Sequence, residues 1–105
     1  MSAILILSTA DKEELAKGIA SALVETGEAA CVNIVPGIQS IYRWKGEVCV
    51  EGEFLLLIKS TTERFEAVRK KIRQLHSYEL PEIIALPING GDPDYLSWLE
   101  ANSRL

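Results

Sequence analysis

An α+β sandwich of element order βαββαβ, with a long central hairpin and a closing helix, is the fold class that this sequence predicts, as one domain over residues 1–105. Three observations predict it. Two amphipathic helical segments each lead from one apolar strand segment to the next. Between these crossovers lie two further apolar runs, residues 29–44 and 48–58, with Lys45-Gly46-Glu47 between them. Those runs are also long for so small a chain. As hairpin arms of ~11–15 residues they reach ~35–50 Å, whereas a domain of this length has a radius of gyration near ~13 Å.

Residues 3–9 read as a buried strand, an apolar run ending in turn residues. Asp11-Lys12-Glu13-Glu14 has the Asp-x-x-Glu form of a capping box. Leu15, Ile19, Ala22 and Leu23 then fall on one helical face, and Gly27 offers a left-handed stop. Pro36-Gly37 predicts a break in the first hairpin arm, because proline cannot donate to a ladder and glycine permits a bulge. Ser60-Thr61-Thr62-Glu63 is a second capping box, Ser60 with Glu63. Phe65, Val68, Ile72 and Leu75 mark the second helix face. His76-Ser77-Tyr78-Glu79-Leu80-Pro81 is the exit loop, and residues 82–88 form a final buried strand ended by Asn89-Gly90-Gly91. Asp92-Pro93 predicts an N-cap followed by proline at the first helical position, opening a short helix with Tyr95, Leu96, Trp98 and Leu99. Right-handed connections around the hairpin make this a split-βαβ, ferredoxin-like sandwich.

Two helices cover one face of such a sheet. In the second hairpin arm Leu55 and Leu57 alternate with Phe54, Leu56 and Ile58, so both faces are apolar, and Ile83-Ile84-Ala85-Leu86 has no polar side either. Burying ~1,000 Å² of the second face would contribute on the order of 25 kcal/mol before association costs. Packing against copies of the same chain is the natural cover, so an obligate oligomer is expected. Towards the hairpin tip, Val48 and Val50 alternate with Glu47, Cys49 and Glu51, a ribbon with one buried and one wet face. The first arm offers Ile41 and Arg43 on one side and Tyr42 and Trp44 on the other. Tyr42, Trp44, Val48 and Val50 are the expected interface residues, laid along a neighbouring subunit. Glu47, Glu51 and Glu53 read as a solvated edge that discourages aggregation.

Net charge is −4 and the eleven basic residues are scattered, which disfavours a nucleic-acid partner. The longest uncharged apolar stretch, residues 29–42, is too short and too polar to span a bilayer. The first residues lack a basic region and read as strand rather than leader. Cys31 and Cys49, without CxxC spacing, fit a reduced cytoplasm. No nucleophile–base pair, phosphate loop or HExxH pattern is present, so an enzyme is not expected.

His76 is the single histidine. It reads either as a metal ligand in a cleft between subunits or as a helix-end residue whose positive character suits the carbonyl terminus. Glu79 beside it could share a divalent ion, or belong to a solvated loop. Cys31 is a soft donor or a small buried hydrophobe. Tyr78 lies in the same acidic exit loop. Lys59, ending an apolar strand, could meet an anion or pair with a carboxylate. Tyr78 and Lys59 are therefore the expected ligand-cleft residues.

Several stretches together resemble the CutA divalent-cation-tolerance family: Ala29-Ala30-Cys31-Val32-Asn33, Pro36, Ser40-Ile41-Tyr42-Arg43-Trp44-Lys45-Gly46, Ile58-Lys59-Ser60, residues 76–88 and Tyr95-Leu96-Ser97-Trp98-Leu99. The likeness runs in order along essentially the whole chain. It implies a ferredoxin-like protomer, a homotrimer whose sheets pack on one another, and structural kinship with trimeric nitrogen-regulatory signal proteins. It also implies tolerance of divalent metals, copper above all, with no established reaction. A copper-associated bacterial member has a cysteine near the end of the first strand and a second histidine beside the first. Here Ser8 and Leu75 stand at those positions, removing ligands that copper selects. The expectation is a cytoplasmic homotrimer that binds copper or zinc weakly through His76, Cys31 and Glu79 and answers to an unknown protein partner. The alternative is a small-molecule-sensing regulatory module.

Overall fold

Strand pairing in this chain follows from where apolar residues alternate and where they stop. The computed structural model describes residues 2–104; Met1 and Leu105, the ends of the predicted domain, lie outside the described residues. Strand β1 (Ala3–Ala10) leads to α1 (Glu13–Glu25), then β2 (Cys31–Trp44) and β3 (Glu47–Thr61). A single 3-10 turn (Thr62–Arg64) enters α2 (Phe65–Leu75), followed by β4 (Ile84–Pro87) and α3 (Pro93–Ala101). The sheet order is β2-β3-β1-β4, with every neighbouring pair antiparallel. This is the α+β, ferredoxin-like arrangement, with the hairpin and closing helix where they were expected.

Residues directly opposite in the ladders share a face. Ile6 opposes Ile58, Ile4 opposes Ser60, and Val32 opposes Ile58, so the even positions of β1, β2 and β3 form one face. Helices α1 and α2 close over it, burying Ile6, Leu56, Ile58, Ile19, Leu23, Val68 and Ile72. Each such side chain contributes roughly 1.5–3 kcal/mol. On α1 the buried row is Ala16, Ile19, Ala20 and Leu23, with Leu15 partly covered. The face is thus turned slightly from the predicted one, and two alanines lie against the sheet. Leu75, at the end of α2, is exposed.

The other face carries Leu5, Leu7, Cys31, Asn33, Val35, Leu55, Leu57, Lys59, Ile84 and Leu86, by the same register. One end of it is covered by α3, where Leu99 packs on Ala3 and Ala30. Beyond that end, Leu5, Leu7, Leu55 and Leu57 of the central strands are only partly buried, and the outer strands are open: Ile84 is 50% exposed, and Val35 and Leu86 are exposed as well.

Neither predicted capping box forms. Lys12 is the residue before α1 and no side chain caps that helix. Ser60 remains in the ladder opposite Ile4, and its hydroxyl donates to the Glu28 carbonyl at 2.5 Å. Two more rungs of β1–β3 pairing, at Ser60 and Thr61, outweigh an earlier helix start. The predicted strand over residues 82–88 is only four residues long and exposed rather than buried, because β1 offers partners only from Ile4 to Leu7. The other signals hold. Gly27 adopts φ +80° after α1. Asp92 accepts the Tyr95 amide at 3.1 Å with Pro93 opening α3. The β2–β3 register shifts between Val35 and Ile38, at Pro36-Gly37. No helix among the described residues is long and apolar enough to cross a membrane.

Candidate functional site

The exit loop after α2 folds back over one end of the uncovered sheet face. His76 sits at the C-terminus of α2, its amide still bonded to the Ile72 carbonyl at 2.8 Å. Its ring lies 2.7 Å, through Nε2, from the Thr9 carbonyl, and Nδ1 lies 3.1 Å from the Tyr78 amide. A carbonyl only accepts and an amide only donates, so Nε2 carries the proton and Nδ1 is the acceptor. Both nitrogens are therefore committed to the backbone, and the Tyr78 ring packs on the imidazole at 4.4 Å between centroids. His76 pins the loop to β1, and no nitrogen lone pair of it is free for a metal.

Tyr78 reaches further along the same face. Its hydroxyl donates to Glu53 Oε2 at 2.6 Å. Glu53 is only 7% exposed, which corrects its assignment to the wet edge with Glu47 and Glu51. It stands in phase with Leu55 and Leu57, and that phase was the signal available in the sequence. Burial, and then the Glu53 bond, raise the Tyr78 hydroxyl far above its ordinary value, so it stays a donor. Glu82 is pushed up as well, by burial first and by the Glu53 charge second. Glu53 is buried, Tyr78 partly buried and Glu82 exposed, and the three have no cationic partner among the described residues.

The remaining predicted residues lie elsewhere. Cys31 opposes Lys59, whereas Thr9, the anchor of His76, opposes Leu55. Four residue steps along β3 separate those rungs, or ~13 Å. Glu79 is exposed. No three histidine, cysteine, aspartate or glutamate side chains among the described residues are placed to hold a metal ion. Within one protomer the expected set of His76, Cys31 and Glu79 is thus not gathered. Lys59 finds neither anion nor carboxylate among the described residues: its Nζ is 3.4 Å from the Tyr95 hydroxyl and 5.7 Å from that ring's centroid. Tyr78 and Lys59 occupy opposite ends of the face.

Beyond the bulge, the hairpin leaves the body of the molecule. Tyr42 donates to Glu51 at 2.7 Å, and this bond, more than anything else, pushes its hydroxyl up to about 12. Lys45 lies 5.6 Å over the Trp44 ring. On the reverse side Ile41 is 70%, Val48 63% and Val50 64% exposed, a row of aliphatic side chains with no cover from its own chain. Cys31 and Cys49 are both free thiols.

The comparisons with known proteins agree with this architecture. Residues 4–102 match the family model described as CutA1 divalent ion tolerance protein. A Divalent-cation tolerance protein CutA of Thermus thermophilus is 52% identical over 99 residues, covering 94% of this chain and 96% of that one. One from Pectobacterium atrosepticum is 43% identical over 102 residues, covering 97% and 93%. A solved structure of the divalent cation tolerance protein from Thermus thermophilus superposes with a TM-score of 0.95 at 51% identity, over 97% of this chain and 99% of that chain. With the whole fold matched at this identity, the chain belongs to the CutA1 divalent-ion-tolerance family.

Proposed function

We propose that this chain serves divalent-cation tolerance as a homotrimer in the cytoplasm, through its assembly rather than through a metal centre inside one protomer. The observation that carries the reading is the uncovered apolar surface: the Ile41, Val48 and Val50 row on the hairpin, and Val35, Ile84 and Leu86 on the sheet. Such surface on a small chain marks an interface. Tyr42 and Trp44, on the other side of the hairpin, extend it. The count of three comes from the family resemblance. Two free thiols support a reducing compartment. The scattered basic residues favour neither nucleic acid nor an anionic membrane as partner.

In this reading copper or zinc is met weakly, by exposed carboxylates such as Glu79 and by Cys31, and no reaction is catalysed. Calorimetric titration of the intact protein with Cu²⁺ and Zn²⁺ tests it. Dissociation constants of ~10 μM or weaker are expected, with His76→Ala leaving them within about twofold, since both imidazole nitrogens are engaged. Nanomolar binding that is lost in His76→Ala would contradict the reading. A small-molecule-sensing module is the second reading. Within one protomer the six residue steps from Glu53 to Lys59 span ~20 Å, so Lys59 and Tyr78 would share a cleft only between subunits, and this reading takes second place.

A further inference from the structure

We infer that the cleft between the entry to α2 and the end of α3 is a binding site for a small organic carboxylate, gripped by Arg64 and Arg104. The cleft encloses about 370 Å³, within the range of small-molecule sites. Arg64 and Arg104 both line it, with Glu63, Glu100 and Ser2 on the same walls. Arg64 Nε is buried and has no hydrogen-bond partner among the described residues. A guanidinium nitrogen withdrawn from water without an acceptor is costly, and a native structure rarely leaves one so. Arg104 makes only a long contact, 3.5 Å from Nε to the Glu100 carbonyl.

The nearby carboxylates do not relieve these arginines. Glu63 accepts the Ser2 hydroxyl at 2.5 Å, and Glu100 lies 3.4 Å from the Ser2 amide. No ion pair joins either glutamate to either arginine among the described residues. The cleft therefore presents Arg64, whose Nε lacks an acceptor among the described residues, beside Arg104, held only by its long contact to the Glu100 carbonyl. A carboxylate offers two coplanar oxygens that match the guanidinium fork. Charge selects between anions. Glu63 is held below the usual carboxylate range, first by the Ser2 hydroxyl, and stays ionised. Glu63 and Glu100 on the rim offset the charges of Arg64 and Arg104, so the cleft has little net field to reward a second negative charge, while a dianion costs more to desolvate than a monoanion; the site favours a carboxylate.

The test is an acetate titration of ¹⁵N-labelled protein at constant ionic strength, read on the Arg64 Nε–H resonance. A saturable shift is expected, with a dissociation constant of ~1–10 mM, and with inorganic phosphate binding more weakly than acetate. Arg64→Lys, which keeps the charge but loses the fork, should weaken acetate binding at least about tenfold with the melting temperature preserved. Should Arg64→Lys fail to fold, Arg104→Lys at the exposed wall should show the same loss. The absence of a saturable shift, phosphate binding as tightly as acetate, or lysine variants that bind like the parent would each overturn the site.

Discussion

Two serines on the core face of the sheet have opposite energetic roles. Ser60 donates to the Glu28 carbonyl and ties the end of β3 to the turn before β2. Ser8, equally buried, has a hydroxyl with no partner. Ser60→Ala leaves a buried carbonyl unsatisfied and should cost ~1–3 kcal/mol, whereas Ser8→Ala removes an orphan and should be neutral or stabilising. Guanidinium denaturation checks both, and equal losses at the two sites would contradict the hydrogen-bond assignment. Glu82 carries a pH prediction. Its folded pKa is raised, so the folded chain holds that proton more tightly than the unfolded one. Stability tied to Glu82 is therefore complete below its ordinary value, near ~4.3, and is lost as pH rises through the raised value. Glu63 and Glu66, held low by Ser2 and Arg69, run in the opposite sense below that range but are common to both proteins compared. The difference in unfolding free energy between Glu82→Gln and the parent should grow in favour of the variant from about pH 4 upward. A difference that stays flat to neutrality would remove the raised Glu82 pKa from the account.

The hairpin shows how far local pattern reaches. Its length, and the bulge at Pro36-Gly37, were legible from apolar runs and from two residues with known backbone demands. Its turn was less so. Lys45 and Gly46 form a two-residue connection with φ +50° and +83°, both left-handed, as the twist of a tight hairpin requires. Lys-Gly is a weaker signal for that turn than Asn-Gly. A Cβ added at Gly46 meets nothing within 4 Å, so Gly46→Ala tests backbone strain alone. The variant should unfold with ~1–2 kcal/mol less stability, measured by chemical denaturation, and an unchanged midpoint would show that the turn is not held left-handed. Helix starts were misread because capping patterns are local, whereas Ser60 belongs to a ladder set by β1, at the far end of the sequence. The Tyr78–Glu53 bond was illegible for the same reason: it joins a loop to a strand 25 residues earlier. Only the phase of Glu53 with Leu55 hinted that its carboxylate was not on the wet edge.

At the scale of the molecule, the chain is elongated, 44 × 25 × 22 Å, because the hairpin extends past the two-layer body. The apolar alternation that predicted two greasy sheet faces was legible in the sequence, and one of those faces is only partly covered, with its outer strands open. What the sequence suggested for metal ligands fared differently. His76 matches the family pattern, yet its ring nitrogens serve the backbone, and within one protomer Cys31 lies four residue steps, or ~13 Å, along the sheet. The central claim is that the open face and the hairpin row are covered by copies of this chain. Sedimentation equilibrium across dilution to about 1 μM tests it most directly, because an obligate assembly persists while a weak one dissociates by mass action. The account predicts a mass three times that of the 11.6 kDa chain, falling to a smaller species in Val50→Asp, where a charge enters the apolar row. A folded species of single-chain mass at that dilution would contradict it.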